Sequence, residues 1–201
     1  MKLLYSKTSP YVRKVLVVAQ ELDLLHRIEL VPAVVAPTSR NPEVTVANPL
    51  GKIPTLILQD GTALYDSRVI VDYLDSLTDS QLAPSDGIAL FKALTGLAAA
   101  EGIVDAALVC RYELATRPEP LRWTDWVEGQ WAKVTGALDM FETMDLRADD
   151  EWSIVDIALA CALGYLDFRF ADRDWRPGRP RLSAFYAQAS QRASMQATVP
   201  V

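Results

Sequence analysis

Pro54-Thr55-Leu56-Ile57-Leu58-Gln59-Asp60-Gly61-Thr62-Ala63-Leu64-Tyr65-Asp66-Ser67 is the stretch whose reading decides the fold. Thr55 to Leu58 is a short apolar run with strand character. Asp60-Gly61 is a hairpin turn signal, and Ala63 to Tyr65 returns as a second strand. From Ser67 onward Val69, Ile70, Tyr73, Leu74 and Leu77 recur at helical spacing.

Upstream of this β-β-α unit the chain reads β-α-β. Lys2 to Tyr5 is a short buried strand, and Ser6 to Ser9 is a polar break. Pro10 suits the first turn of a helix, where its missing N–H costs nothing. Val12, Val15, Leu16, Val18, Ala19 and Leu22 continue that helix, and Ile28 to Val31 is the next strand. Pro32 to Pro49 is rich in Pro, Ser, Thr and Asn, which predicts loop with one short helical turn. Two strands joined by a helix pair in parallel through a right-handed crossover, and the later hairpin adds antiparallel strands.

Downstream, the apolar pattern breaks between Thr78 and Asp86, which reads as a linker. Helical runs then cover about 87–116, 118–143, 154–170 and 181–192, and successive helices bury their stripes on one another as a bundle. The expected units are residues 1–78 and 84–201. Ser153-Ile154-Val155-Asp156 has the form of a capping box, with Trp152 and Ile157 where a hydrophobic staple would stand.

The formal charge of −6 comes with scattered basic residues, so no stripe exists to meet nucleic acid or an anionic membrane. The start lacks signal-peptide character, and the apolar runs read as too short or too interrupted to cross a bilayer, which predicts a cytoplasmic protein. Cys110 and Cys161 each sit in an apolar helical pattern and are expected as buried free thiols. One histidine, His26, and no ligand-spaced cluster predict no metal.

Three segments carry chemistry and are expected to converge at one end of the first domain's sheet, and each has a plainer reading beside it. Thr8-Ser9-Pro10-Tyr11-Val12-Arg13-Lys14 puts a hydroxyl at a helix N-terminus, where amides and the helix dipole favour an anion such as a thiolate. A simple helix cap is the alternative. Asn48-Pro49-Leu50-Gly51-Lys52-Ile53-Pro54-Thr55 suits a tight loop running into a strand. With a cis bond before Pro54, the Ile53 main chain faces outward and can pair with a peptide-like ligand. Without it, the segment is a loop-to-strand junction. Tyr65-Asp66-Ser67-Arg68 places a carboxylate and a hydroxyl at a helix start, where they either cap it or grip an α-amino acid group.

Taken together, Ser-Pro-Tyr-Val-Arg-Lys, Asn-Pro-Leu-Gly-Lys-Ile-Pro and Asp-Ser resemble the glutathione transferase family in its bacterial, serine-type form, over essentially the whole chain. The resemblance implies a thioredoxin-like N-terminal domain followed by an all-helical C-terminal domain, with glutathione as co-substrate. It implies that Ser9, with Thr8 and Ser6 as neighbouring hydroxyls that could take its place, holds the glutathione sulfur as thiolate, that Ile53 before a cis Pro54 binds the cysteinyl backbone, and that Asp66 and Ser67 grip the γ-glutamyl group. Lys52 or Arg40 would meet the glycine carboxylate. A small hydrophobic electrophile or a peroxide would be attacked in a cleft between the domains, with Tyr11, Glu101, Asp105, Val109 and Tyr112 as candidate lining residues. Family members are usually homodimers, so a homodimer is expected. A serine where cysteine-type members carry sulfur makes a mixed disulfide unavailable to residue 9. A glutathione-binding protein of the same fold without catalysis is the rival reading.

Overall fold

The computed structural model describes residues 1–149 and 151–201. The chain divides into two compact units, Met1–Leu82 with Ala193–Val201, and Ala83–Arg192.

In the first unit, β1 (Lys2–Tyr5), α1 (Pro10–Glu21), β2 (Glu29–Pro32), α2 (Pro42–Ala47), β3 (Thr55–Ile57), β4 (Ala63–Leu64) and α3 (Ser67–Asp75) follow in order. The sheet runs β2-β1-β3-β4, with β1 parallel to β2 and antiparallel to β3, and β3 antiparallel to β4. This is the expected thioredoxin-like arrangement. α1 packs against α3, and α3 and α2 each pack against β3. Leu3, Val12, Val15, Leu56, Ile70 and Leu74 are fully buried at the centre. β2 starts one residue later than its apolar pattern suggests. Ile28 donates its N–H to the Leu25 carbonyl (3.0 Å), closing a 3-10 turn before the strand begins. The hairpin is closed beyond the ladder by Leu58 N–H to the Thr62 carbonyl (2.8 Å), with Gly61 at φ +88°.

The second unit holds α4 (Gly87–Ala115), α5 (Thr124–Glu142), α6 (Ile154–Arg169) and α7 (Pro180–Ala189). α4 packs against both α5 and α6, and α7 closes on α5 and α6. α6 is the core helix, buried at every position from Ile154 to Leu166. Its capping box forms: Ser153 Oγ accepts from Asp156 N–H (3.4 Å), and Asp156 Oδ2 accepts from Ser153 N–H (2.8 Å). Asp156 Oδ1 also accepts from Arg147 N–H (3.1 Å), so one carboxylate ties the incoming loop to the helix start.

The run expected over 118–143 is interrupted. Pro118 and Pro120 cannot donate to a helical ladder, so Glu119–Leu121 forms a 3-10 turn and α5 starts only at Thr124. Trp123 offers no side-chain cap there. The buried Glu113 substitutes, accepting from Trp123 N–H at 2.9 Å and from Arg117 Nε at 2.7 Å. These hydrogen bonds hold the Glu113 carboxyl below its ordinary value.

Two sequence expectations change. The second unit was expected to run to residue 201, but the chain leaves it after Arg192 and forms α8 (Ala193–Ala197), which packs on α1. Burial of Ser194 and Met195 in the first unit drives that return. The apolar runs were also expected to fall short of a bilayer. By length and composition α4 does not, with a mean hydropathy of 1.6 over its most apolar window, half of which is buried within the protein. Its buried stripe of Ala100, Ile103, Ala107 and Cys110 faces the other helices, and it buries Glu101 and Glu113 as well. That is the pattern of a core helix.

Candidate functional site

Strand register brings the three chemical segments to one end of the sheet. β1 ends at Tyr5 and leads directly to Ser9. Leu4 pairs with Thr55, so the start of β3, and Ile53-Pro54 just before it, lie beside that end of β1. Leu64 pairs with Leu56, so β4 also finishes at this edge and hands over to Tyr65-Asp66-Ser67. With strands about 4.8 Å apart, the distance across from β1 to β4 is about 10 Å.

At the first corner, Ser9 is the N-cap of α1 in extended conformation, and its Oγ accepts from Val12 N–H at 3.3 Å. Because the oxygen acts there as acceptor, the hydroxyl hydrogen is left to donate elsewhere. Ser6 and Thr8 hydroxyls engage each other at 3.2 Å, which distinguishes them from Ser9. The α1 N-terminus adds its dipole at the same point.

The second corner is a braced loop. The Ile53–Pro54 bond is cis. Among the described residues, the Ile53 main chain enters no backbone hydrogen bond, since pairing of β3 begins at Thr55. Asn48, 2% exposed, organises the turn: its Nδ2 donates to the Lys52 carbonyl (3.0 Å) and Thr55 Oγ1 (3.1 Å), and its Oδ1 accepts from Leu50 N–H (3.0 Å). Gly51 sits at φ +64°, and a Cβ there would come 3.3 Å from Thr45 Cγ2. Arg40 donates to the Pro49 carbonyl and so belongs to the loop's own scaffold. Lys52 is exposed, with only its carbonyl engaged, by Asn48 and Thr55.

At the third corner Asp66 is the N-cap of α3, its Oδ1 accepting from Arg68 N–H at 2.9 Å, and the Tyr65–Asp66 bond is also cis. Asp66 is exposed, while Ser67 is buried at the first helical position. Behind them, burial pushes the Asp72 carboxyl up, against the pull of Lys14 and with the push of Asp66.

Ser9, Ile53, Lys52, Asp66 and Ser67 are thus gathered at one sheet edge in the first unit. The remaining candidates on α4 belong to the second unit: Glu101 is buried, Asp105 exposed, and Val109 and Tyr112 half-buried, with burial raising the Tyr112 phenol. Sequence reasoning quoted Asn48 and Arg13 without giving them work. The signal for Asn48 was an amide three residues before a glycine, the arrangement of a self-braced turn. No group of His, Cys, Asp and Glu able to hold a metal ion occurs among the described residues.

Two family models match the chain: glutathione S-transferase, N-terminal domain, over residues 8–77, and glutathione S-transferase, C-terminal domain, over residues 124–188. A relative in Escherichia coli (strain K12), the uncharacterized GST-like protein YibF, is 32% identical over 100% of this chain and 98% of its own length. Among solved structures, a glutathione transferase family member from Pseudomonas fluorescens Pf-5 with bound glutathione is 44% identical. It covers 100% of this chain and 98% of that one, with a TM-score of 0.96. A glutathione transferase family member from Pseudomonas fluorescens Pf-5 with bound S-(propanoic acid)-glutathione is also 44% identical, covers 100% of both chains and has a TM-score of 0.91. A glutathione S-transferase from Methylobacillus flagellatus KT with glutathione bound is 42% identical, covers 100% of this chain and 99% of that one, and has a TM-score of 0.86.

Proposed function

The chain belongs to the glutathione S-transferase family, and from that premise we propose that it binds glutathione along the Ser9–Ile53–Asp66 edge and activates the thiol as a thiolate. The observation that carries the reading is the register itself. It sets the Ser9 corner and the Asp66–Ser67 corner about 10 Å apart, and a three-residue peptide at about 3.3–3.6 Å per residue spans that distance.

In this reading the γ-glutamyl group lies at Asp66 and Ser67, with the Asp66 carboxylate facing the ligand's ammonium. The cysteinyl backbone pairs with the Ile53 main chain as an added strand. Lys52 meets the glycine carboxylate, and Arg40 braces the loop beneath. Ser9 donates its hydroxyl hydrogen to the sulfur while still accepting from Val12 N–H. The thiol proton goes to solvent. The sulfur then forms a bond to an electrophilic carbon as the leaving group departs, or as the adjoining atom takes up a proton. Peroxide oxygen is a second acceptor class. That the 44% identical Pseudomonas fluorescens Pf-5 protein holds S-(propanoic acid)-glutathione, a glutathione thioether, supports this reading.

A thermal-shift titration with glutathione, S-alkyl glutathiones and glutathione disulfide tests the reading. Stabilisation by glutathione and by its S-alkyl conjugates, with the disulfide weaker, is expected. No shift with any of them would end it.

We also propose a homodimer and a cytoplasmic setting. Ile88, Phe91 and Leu94 expose an apolar face on α4, continuous with a groove lined by Phe91, Thr95, Met140 and Met144, and a second copy is the occupant the family suggests. The buried free thiols of Cys110 and Cys161 fit a reducing compartment.

A further inference from the structure

Arg13 is an unusual buried residue. Its side chain sits on α1 one turn beyond the Ser9 cap, and only 6% of it is exposed. Its main chain makes the first helical hydrogen bond, Arg13 N–H to the Ser9 carbonyl at 3.0 Å. Its guanidinium points to the C-terminal tail: Nη2 donates to the Met195 carbonyl at 3.1 Å, and Nε to Thr198 Oγ1 at 3.5 Å. Both acceptors are neutral, and among the described residues no carboxylate lies within ion-pair distance of this guanidinium. A buried cation without a counter-ion is costly unless its field is used or its hydrogen bonds are complete.

The tail is held at more than one point. Thr198 Oγ1 donates to the Ser194 carbonyl (2.8 Å), and the Ser194 hydroxyl donates to Glu21 at the far end of α1. α8 therefore lies along α1 and is fastened near both ends of it. The charges around Arg13 are few. α8 brings no charged side chain. On α3, Asp72 acts on Lys14, and Asp75 lies further along. The 3-10 turn that packs on α1 contributes His26 and Arg27, both exposed.

We propose that Arg13 is a positioning residue for the thiol site, its buried guanidinium tethered by the C-terminal tail so as to fix the first turn of α1 and add positive potential where Ser9 faces the sulfur. The proposal rests on the glutathione reading above and deepens it by giving the last residues of the chain a part in the chemistry. Four helical residues span about 6 Å of axis, so a guanidinium one turn beyond the cap lies on the order of 10 Å from a sulfur held at Ser9. At an effective dielectric constant of about 20, that separation corresponds to roughly a tenfold change in the thiol's acid dissociation.

The test is a spectroscopic titration of thiolate in the bound glutathione, with S-methyl glutathione affinity measured in parallel because that ligand has no thiol to ionise. Arg13→Met is expected to raise the bound thiol's midpoint by about one pH unit, the tenfold effect above, with S-methyl glutathione affinity little changed. Arg13→Lys, which keeps the charge, is expected to restore most of the shift. An unchanged midpoint in Arg13→Met, or an equal shift in Arg13→Lys, overturns the proposal. If Arg13→Met does not fold, Thr198→Val takes its place: a raised midpoint there with Arg13→Lys near wild type supports the proposal, and the reverse overturns it. Failure of the wild-type protein to bind S-methyl glutathione would instead bring down the glutathione reading itself.

Discussion

At the scale of single residues, Ser9 does two jobs with one oxygen, accepting from Val12 N–H and keeping a hydrogen to donate. A hydrogen bond to a charged group contributes about 1.5–3 kcal/mol, or about one to two pKa units. Ser9→Ala is therefore expected to raise the bound thiol's pKa by that amount while glutathione affinity changes little. Thiolate absorbance across a pH series measures it, and identical curves for the two proteins would remove Ser9 from the mechanism. Asp75 gives a second prediction. Burial pushes its carboxyl above the ordinary value, Leu82 N–H at 3.4 Å pulls it back, and its Oδ1 is buried without a partner among the described residues. With a raised folded pKa, the native state binds the proton more tightly than the unfolded chain. Stability is therefore lost as pH rises from about the unfolded value of 3.8 through the folded one. Asp75→Asn escapes that loss, so its Tm relative to wild type is expected to climb with pH over this window and level off above it. A flat difference across pH would contradict the assignment.

Among the elements, α4 and α6 pack tightly at Gly96, where an added Cβ would come within 2.9 Å of Val155 Cγ1. Overpacking of this kind costs about 1–3 kcal/mol, partly offset by the roughly 1 kcal/mol that Ala gains over Gly in a helix. Gly96→Ala is expected to lower stability by about 1–2 kcal/mol on its own. In a Val155→Ala background it should be neutral or stabilising. Denaturant unfolding of the four proteins gives the coupling, and additive effects would mean the helices separate easily. Element identity was legible in the sequence because period and punctuation agreed: the Asp60-Gly61 turn, the Ser153 box and the Pro10 start each mark a boundary that forms. What escaped was set by distant groups. α5 begins where the Glu113 carboxylate, a neighbour only in the folded chain, accepts the Trp123 amide. The chemical corners were legible as motifs. Their meeting at one end of the sheet followed from the β-α-β, β-β-α order, and the Leu4–Thr55 and Leu56–Leu64 register, which no local pattern encodes, sets its detail. The hydrogen bonds from Arg13 to Met195 and Thr198 were invisible for the same reason.

On the scale of the whole molecule, the exposed apolar face of α4 bears on assembly. Phe91 is 62% exposed and Ile88 72%, and a cluster of that kind on a monomer marks an interaction surface. If the proposed dimer forms through this face, Phe91→Asp is expected to leave a folded monomer in sedimentation experiments where the wild type sediments as a dimer. A wild-type protein that sediments as a monomer would refute the dimer outright. The first unit is also discontinuous in sequence: Met1–Leu82 and Ala193–Val201 are separated by the helical unit. On a ribosome adding about 5–20 residues per second, its last piece emerges on the order of ten seconds after its first 82 residues have left. A nascent chain, or one cut short by a premature stop, therefore carries an α1 whose Arg13 has not met Met195 and Thr198. The first unit therefore cannot close until the intervening helical unit has itself been synthesised.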